Sequence, residues 1–116
     1  ANLIGKWQST WEKIHKVENG KEVVTSDEAY TNGLREFKAD GTCTEGYADG
    51  GYTETCRWSL KDNKLTISYN DGYSDVLTVN ELTATKLVLA LEDWDTMDDG
   101  SEELDDITTT TYKKID

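Results

Sequence analysis

Two glutamates form the arrangement in this chain best suited to acid–base chemistry. Asp49-Gly50 reads as a two-residue type I′ hairpin turn. Counting outward from it sets Tyr47 opposite Tyr52, Glu45 opposite Glu54 and Cys43 opposite Cys56. Carboxylates opposed in this way repel, so one is expected to keep its proton towards neutral pH. A retaining glycosidase holds its two carboxyls about 5–5.5 Å apart, a spacing that such a pair can reach. No other polar groups converge to shape a sugar site, and a non-enzymatic protein is expected, with no catalytic residues. The opposed cysteines count as a non-hydrogen-bonded pair, with Cα atoms about 4.5 Å apart. A Cys43–Cys56 disulfide is expected at the short end of the allowed range, against the alternative of two buried thiols packed as small hydrophobes.

Residues 92–106, EDWDTMDDGSEELDD, carry 9 acids and no base, whereas the rest of the chain is nearly balanced at 15 acids against 12 bases. Asp95, Asp99, Gly100 and Asp106 fall at positions 1, 5, 6 and 12 of a calcium loop. Met97 takes position 3, where an oxygen ligand belongs, so a solvated acidic loop is expected and no metal. The single histidine, His15, excludes most metal sites and is expected to be a solvated strand residue. A net charge of −12 opposes nucleic-acid binding. No apolar run approaches the ~20 residues of a membrane helix.

The positioning elements are hairpins. Period-two alternation recurs between short turns at Ala39-Asp40-Gly41, Asp49-Gly50, Asp62-Asn63 and Asn70-Asp71-Gly72. The pattern predicts eight strands, near 4–16, 30–38, 42–48, 52–60, 64–69, 73–80, 86–91 and 107–115. Segment 17–29 is the least defined, with Asn19-Gly20 and Val23-Val24 offering a further small hairpin. Phe37, Cys43, Cys56, Trp58, Leu60, Leu65 and Ile67 share one face. Eight sequential strands with one apolar face close most simply into an all-β, antiparallel up-and-down barrel, which removes its edges and can hold one small ligand. The chain length suits one domain, residues 1–116.

In such a meander alternate loops gather at one end, here those near 17–29, 48–51, 70–72 and 92–106. Tyr30, Tyr47, Tyr52, Tyr69 and Tyr73 adjoin them, with Trp94. Tyrosine joins an apolar face to a polar tip, which suits a half-wet pocket; bracing of the hairpins by aromatic pairs is the alternative. The expected ligand-binding set is these six with Glu45, Glu54 and Trp58. Trp11 points inward only if the first strand has no bulge.

Gly5-Lys6-Trp7 resembles the Gly-x-Trp motif of lipocalins. The runs Phe37-Lys38-Ala39-Asp40-Gly41-Thr42, Trp58-Ser59-Leu60 with Asn63-Lys64-Leu65, Glu81-Leu82-Thr83 with Lys86-Leu87-Val88-Leu89, and Tyr112-Lys113-Lys114 resemble small bacterial lipocalin-like domains. The second lipocalin motif, Thr-Asp-Tyr, and a helix after the last strand are both missing from the sequence. The resemblance implies an exported protein, periplasmic or anchored at the outer membrane, with membrane contact only through a lipid anchor outside this chain. It also implies that Lys113 or Lys114 covers Trp7. The expected function is a monomeric, cofactor-free carrier of a small hydrophobic or amphipathic molecule at the tyrosine-rich end. The alternative is an envelope interaction module with a filled barrel that acts through its acidic loop.

Overall fold

The computed structural model describes residues 2–18 and 20–115. Nine strands follow in sequence: β1 Gly5–Glu18, β2 Lys21–Ala29, β3 Gly33–Phe37, β4 Thr42–Tyr47, β5 Thr53–Lys61, β6 Lys64–Tyr69, β7 Ser74–Leu82, β8 Lys86–Thr96 and β9 Glu102–Lys114. All pairings are antiparallel, and β1 pairs with β9 to close the sheet. β2 lies along Trp11–Glu18 of β1 and β3 along Gly5–Gln8, so the two share one stave of an eight-staved barrel. Segment 17–29 thus forms a hairpin, with Val23 and Val24 opposite Lys16 and His15. Asn19 of its expected turn lies outside the described residues.

Three turns repeat one device. The amides of Lys38, Tyr69 and Met97 donate to the carbonyls of Thr42, Tyr73 and Ser101 at 2.9, 2.8 and 2.7 Å. Asp40, Asp71 and Asp99 accept from the amides of Thr42, Tyr73 and Ser101 at 3.0, 3.0 and 2.9 Å. A glycine with positive φ ends each turn. The third turn changes the picture of the acidic segment. Rather than an open loop over 92–106, β8 runs to Thr96 and β9 starts at Glu102, leaving only 97–101 as turn. Glu92, Asp93, Asp95, Glu102 and Glu103 are exposed along the ribbon, so their repulsion does not outweigh the ladder.

The β4–β5 turn also differs from expectation. It holds four residues instead of two, since Tyr47 N–H donates to Tyr52 O at 2.9 Å and Gly50 N–H to Tyr47 O at 3.0 Å. The centre of the turn is unchanged, so the partners are those expected, but the hydrogen-bonding phase inverts. Trp58 N–H donates to Gly41 O at 3.0 Å in the same phase. Cys43 and Cys56 are therefore a hydrogen-bonded pair, a class in which Cα atoms stand about 5.5 Å and Cβ atoms ~4.5–5.5 Å apart, whereas a disulfide needs Cβ atoms nearer ~3.8 Å. In place of the expected disulfide, the structure holds two buried free thiols.

The end of the barrel beside the 39–41 and 62–63 turns is filled. Trp7, Phe37, Leu65, Ile67, Leu87 and Leu89 are fully buried together with the two cysteines. Each large side chain removed from water stabilises by ~1.5–3 kcal/mol. Trp7 donates its Nε1–H to Leu3 O at 2.9 Å. The Lys114 ammonium lies 5.0 Å from the Trp7 ring centroid and donates to Ile4 O at 2.8 Å, so Lys114 is the covering base. Leu60 sits near the end of β5, beyond this packing, and is exposed. A bulge between Ser9 and Trp11 turns Trp11 outward, where Nε1 donates to Asp27 Oδ1 at 2.6 Å.

Candidate functional site: the pocket at the barrel mouth

Two residues up their strands from Phe37, Cys43 and Ile67 come Arg35, Glu45 and Tyr69, brought inward by the same alternation. They end the apolar packing with a polar layer. Arg35 Nη1 donates to Glu45 Oε2 at 2.6 Å, and its Nε donates to the Tyr112 hydroxyl at 3.1 Å. The Tyr69 hydroxyl stands 3.2 Å from Glu45 Oε2 and 3.1 Å from Asp75 Oδ2, and its one proton serves either. Burial alone would make Arg35 easier to deprotonate, but Tyr112 and Glu45 outweigh it and hold the guanidinium firmly charged. Burial, then the Glu45 charge, pushes the Tyr69 phenol well above its ordinary value.

Above this layer lies a half-open cavity of about 310 Å³. Leu77, Leu89 and Leu91 form one wall, and Thr108, Thr110 and Tyr112 line it from β9. Tyr30, Tyr47 and Tyr52 stand at the rim with Glu12, while Arg35 and Glu45 form the floor. The Tyr47 and Tyr52 rings pack across the strands, tilted, with centroids 5.6 Å apart. Gly46 lets the Tyr52 backbone come close: a Cβ there would lie 2.0 Å from the Tyr52 carbonyl oxygen. Tyr30 is raised above the ordinary phenol value by burial and then by Glu12.

The cavity brings together four of the expected residues, Tyr30, Glu45, Tyr47 and Tyr52. Tyr69 sits within the polar layer beneath. Glu54 accepts a short hydrogen bond from the Tyr52 hydroxyl, which raises that phenol to about 12. The two carboxylates remain cross-strand partners, but each is engaged by its own donor, Glu45 by Arg35 and Glu54 by Tyr52. Trp58 is at the opposite end, edge-on to Phe37 at 5.6 Å, with Nε1 donating to Lys38 O at 2.9 Å. Tyr73 is 75% exposed beside its turn. Trp94 follows a bulge at Asp93/Trp94 and lines a separate groove with Val76, Thr78 and Ala90.

Past the mouth, β2, β1, β9 and β8 continue as a four-stranded overhang, from Trp11 opposite Ala29 on one side to Thr96 opposite Glu102 on the other. His15 lies on it, between Val24 and Ile107. Asp93 and Asp106 face each other there, and burial with their mutual hydrogen bond raises Asp106 above the usual carboxylate range. Among the described residues no group of three or more His, Cys, Asp or Glu is placed to hold a metal ion.

Sequence reasoning missed Arg35, Glu12, Tyr112, the leucine wall and the β9 threonines as site residues. For Arg35 the signal was present: the count that pairs Phe37 with Cys43 also pairs Arg35 with Glu45. Glu12 was hidden by the β1 bulge, which inverts the parity beyond Ser9.

The profile of the family described as Lipocalin-like domain matches residues 3–89. Two similar solved structures are bovine. One is the odorant-binding protein deswapped triple mutant, at 16% identity and TM-score 0.52, covering 99% of this chain and 75% of that one. The other is the bovine odorant-binding protein in complex with a selenium-containing odorant, at 17% identity and TM-score 0.50, covering 98% and 71%. No curated protein matches the chain.

Proposed function

The chain belongs to the lipocalin-like domain family, and we propose that it is a monomeric, non-enzymatic carrier that holds a small hydrophobic or amphipathic molecule in the mouth pocket. The observation that carries this reading is the cavity of about 310 Å³, apolar on its leucine wall and hydrogen-bonding at its tyrosines and floor. Small-molecule pockets begin near ~300 Å³ and combine these two kinds of lining. A bovine protein of like fold is described in complex with an odorant, a small ligand, which accords with the reading. A barrel filled to its rim and working through the acidic hairpin would leave no such space.

The test is native mass spectrometry of protein taken from its own host, with solvent extraction of any bound molecule. A single protomer carrying a discrete extra mass, lost in Tyr47→Ala, is the expected result. A clean apo mass, together with no binding in a panel of small amphiphiles, would overturn it. We also infer residence in the cell envelope, supported by the likeness to small exported lipocalin-like domains; cell fractionation that finds the protein in the cytosol would refute this.

A further inference from the structure

We infer that the mouth pocket selects an organic cation, an apolar body ending in an amine or ammonium, and turns carboxylates away. The inference rests on the pocket being a ligand site and adds the charge of the ligand. Three charged residues line the cavity: Glu12, Arg35 and Glu45. Two of them cancel, because Arg35 and Glu45 form an ion pair at 2.6 Å. The floor therefore offers no unmatched cation to an incoming carboxylate. Glu12 is different. Its carboxylate makes no hydrogen bond or ion pair among the described residues, and its neighbours across the ladder are Glu28 on β2 and Thr110 on β9. A half-buried carboxylate facing a cavity without a partner is a group that a bound cation would complete.

The walls suit the same guest. Tyr30, Tyr47 and Tyr52 stand with Glu12 at the rim, and aromatic faces attract ammonium groups through the negative face of the ring. Tyr30 acts as an internal test anion. After burial, the influences that oppose its ionisation are Glu12, Tyr47, Tyr112 and Asp49, so negative charge at that point is disfavoured from several sides. Lys13, next to Glu12 on β1, lies opposite Asp27 of β2, and Lys16 lies opposite Asp106, which is itself opposite Asp93, so both β1 lysines of the overhang face acids. The net charge of −12 adds a long-range field that draws cations to the mouth.

The test is calorimetric titration of the whole chain with three eight-carbon probes at neutral pH: octylamine, octanol and octanoate. The expected order is octylamine about tenfold tighter than octanol, with octanoate weakest. Glu12→Gln should abolish the preference for octylamine over octanol, and Glu12→Lys should favour octanoate. Thermal melts of both variants check that they fold. Octanoate binding as tightly as octylamine, or a preference that persists in Glu12→Gln, overturns the charge assignment. Binding of octanol with no charge preference refutes this inference alone; no binding by any of the three refutes the carrier reading with it.

Discussion

Below Arg35 and Glu45 the barrel holds Trp7, Phe37, Leu65, Ile67 and Leu87 with almost no exposed surface. Above them the same strands carry tyrosines, threonines and carboxylates around open space, and then run on as an overhang with solvent-exposed residues such as Val24 and Trp94. The two halves share one ladder, with the alternation reset on β1 by the bulge between Ser9 and Trp11, and what separates them is which side chains the inward positions carry. The lower half is packed for stability. The upper half gives up packing for space and for charges that a guest can meet. The polar layer is the boundary between them, and its ion pair lets strongly polar groups stand on the apolar packing below.

The sharpest way to break this contrast is to truncate one large aromatic in each half. Trp7→Ala should cost ~3–5 kcal/mol in urea denaturation, whereas Tyr47→Ala, at a position 46% exposed, should cost under ~1 kcal/mol and act on binding instead. Equal losses would erase the distinction.

At the boundary, Glu45→Ala leaves the Arg35 charge without its carboxylate and should cost ~3 kcal/mol. The double variant Arg35→Met with Glu45→Leu should return to within ~1 kcal/mol of the parent. A double variant no better than the single one would show that the pair is not what the layer depends on.

Alkaline pH should loosen the mouth and the layer next. The phenols of Tyr30, Tyr52 and Tyr69 are all raised above the ordinary value of 10.0, Tyr52 to about 12. The unfolded chain therefore ionises first, and stability present below pH 10.0 should fall as pH rises towards about 12. Phenolate absorbance against pH, followed with the unfolding midpoint, checks both.

The thiols should have a smaller effect. Burial raises both Cys43 and Cys56, which holds them protonated at neutral pH and slow to alkylate in the native state. Denatured without reductant, each should take one alkylating group; a mass lower by two hydrogens and no adduct would restore the disulfide. Smallest of all, Trp94→Ala on the overhang should change stability by no more than ~0.5 kcal/mol.

Much of the frame was legible because turns set register. Ala39-Asp40-Gly41 and Asp62-Asn63 place Phe37 against Cys43 and Trp58 against Ile67, and the structure has these pairs. What stayed hidden depends on local irregularity. A β4–β5 turn of four residues keeps the partners but inverts the hydrogen-bonding phase, which moves the cysteines from a close pair to a wide one. Bulges at Ser9/Trp11 and Asp93/Trp94 change the faces of Trp11, Glu12 and Trp94, and no residue type announces them. A hairpin count from Asp49-Gly50 sets Glu45 against one neighbouring strand, whereas every barrel position has two. Arg35 on the other side decides where Glu45 points.

The most direct test is amide chemical-shift mapping of the labelled protein titrated with octanol. The account predicts shifts gathered on Tyr30, Gly46, Tyr47, Tyr52 and Thr110 around the mouth, with the packed end at Trp7 and Phe37 unmoved. Shifts confined to the outer groove of Val76, Thr78 and Trp94, or none at saturating octanol, would contradict it.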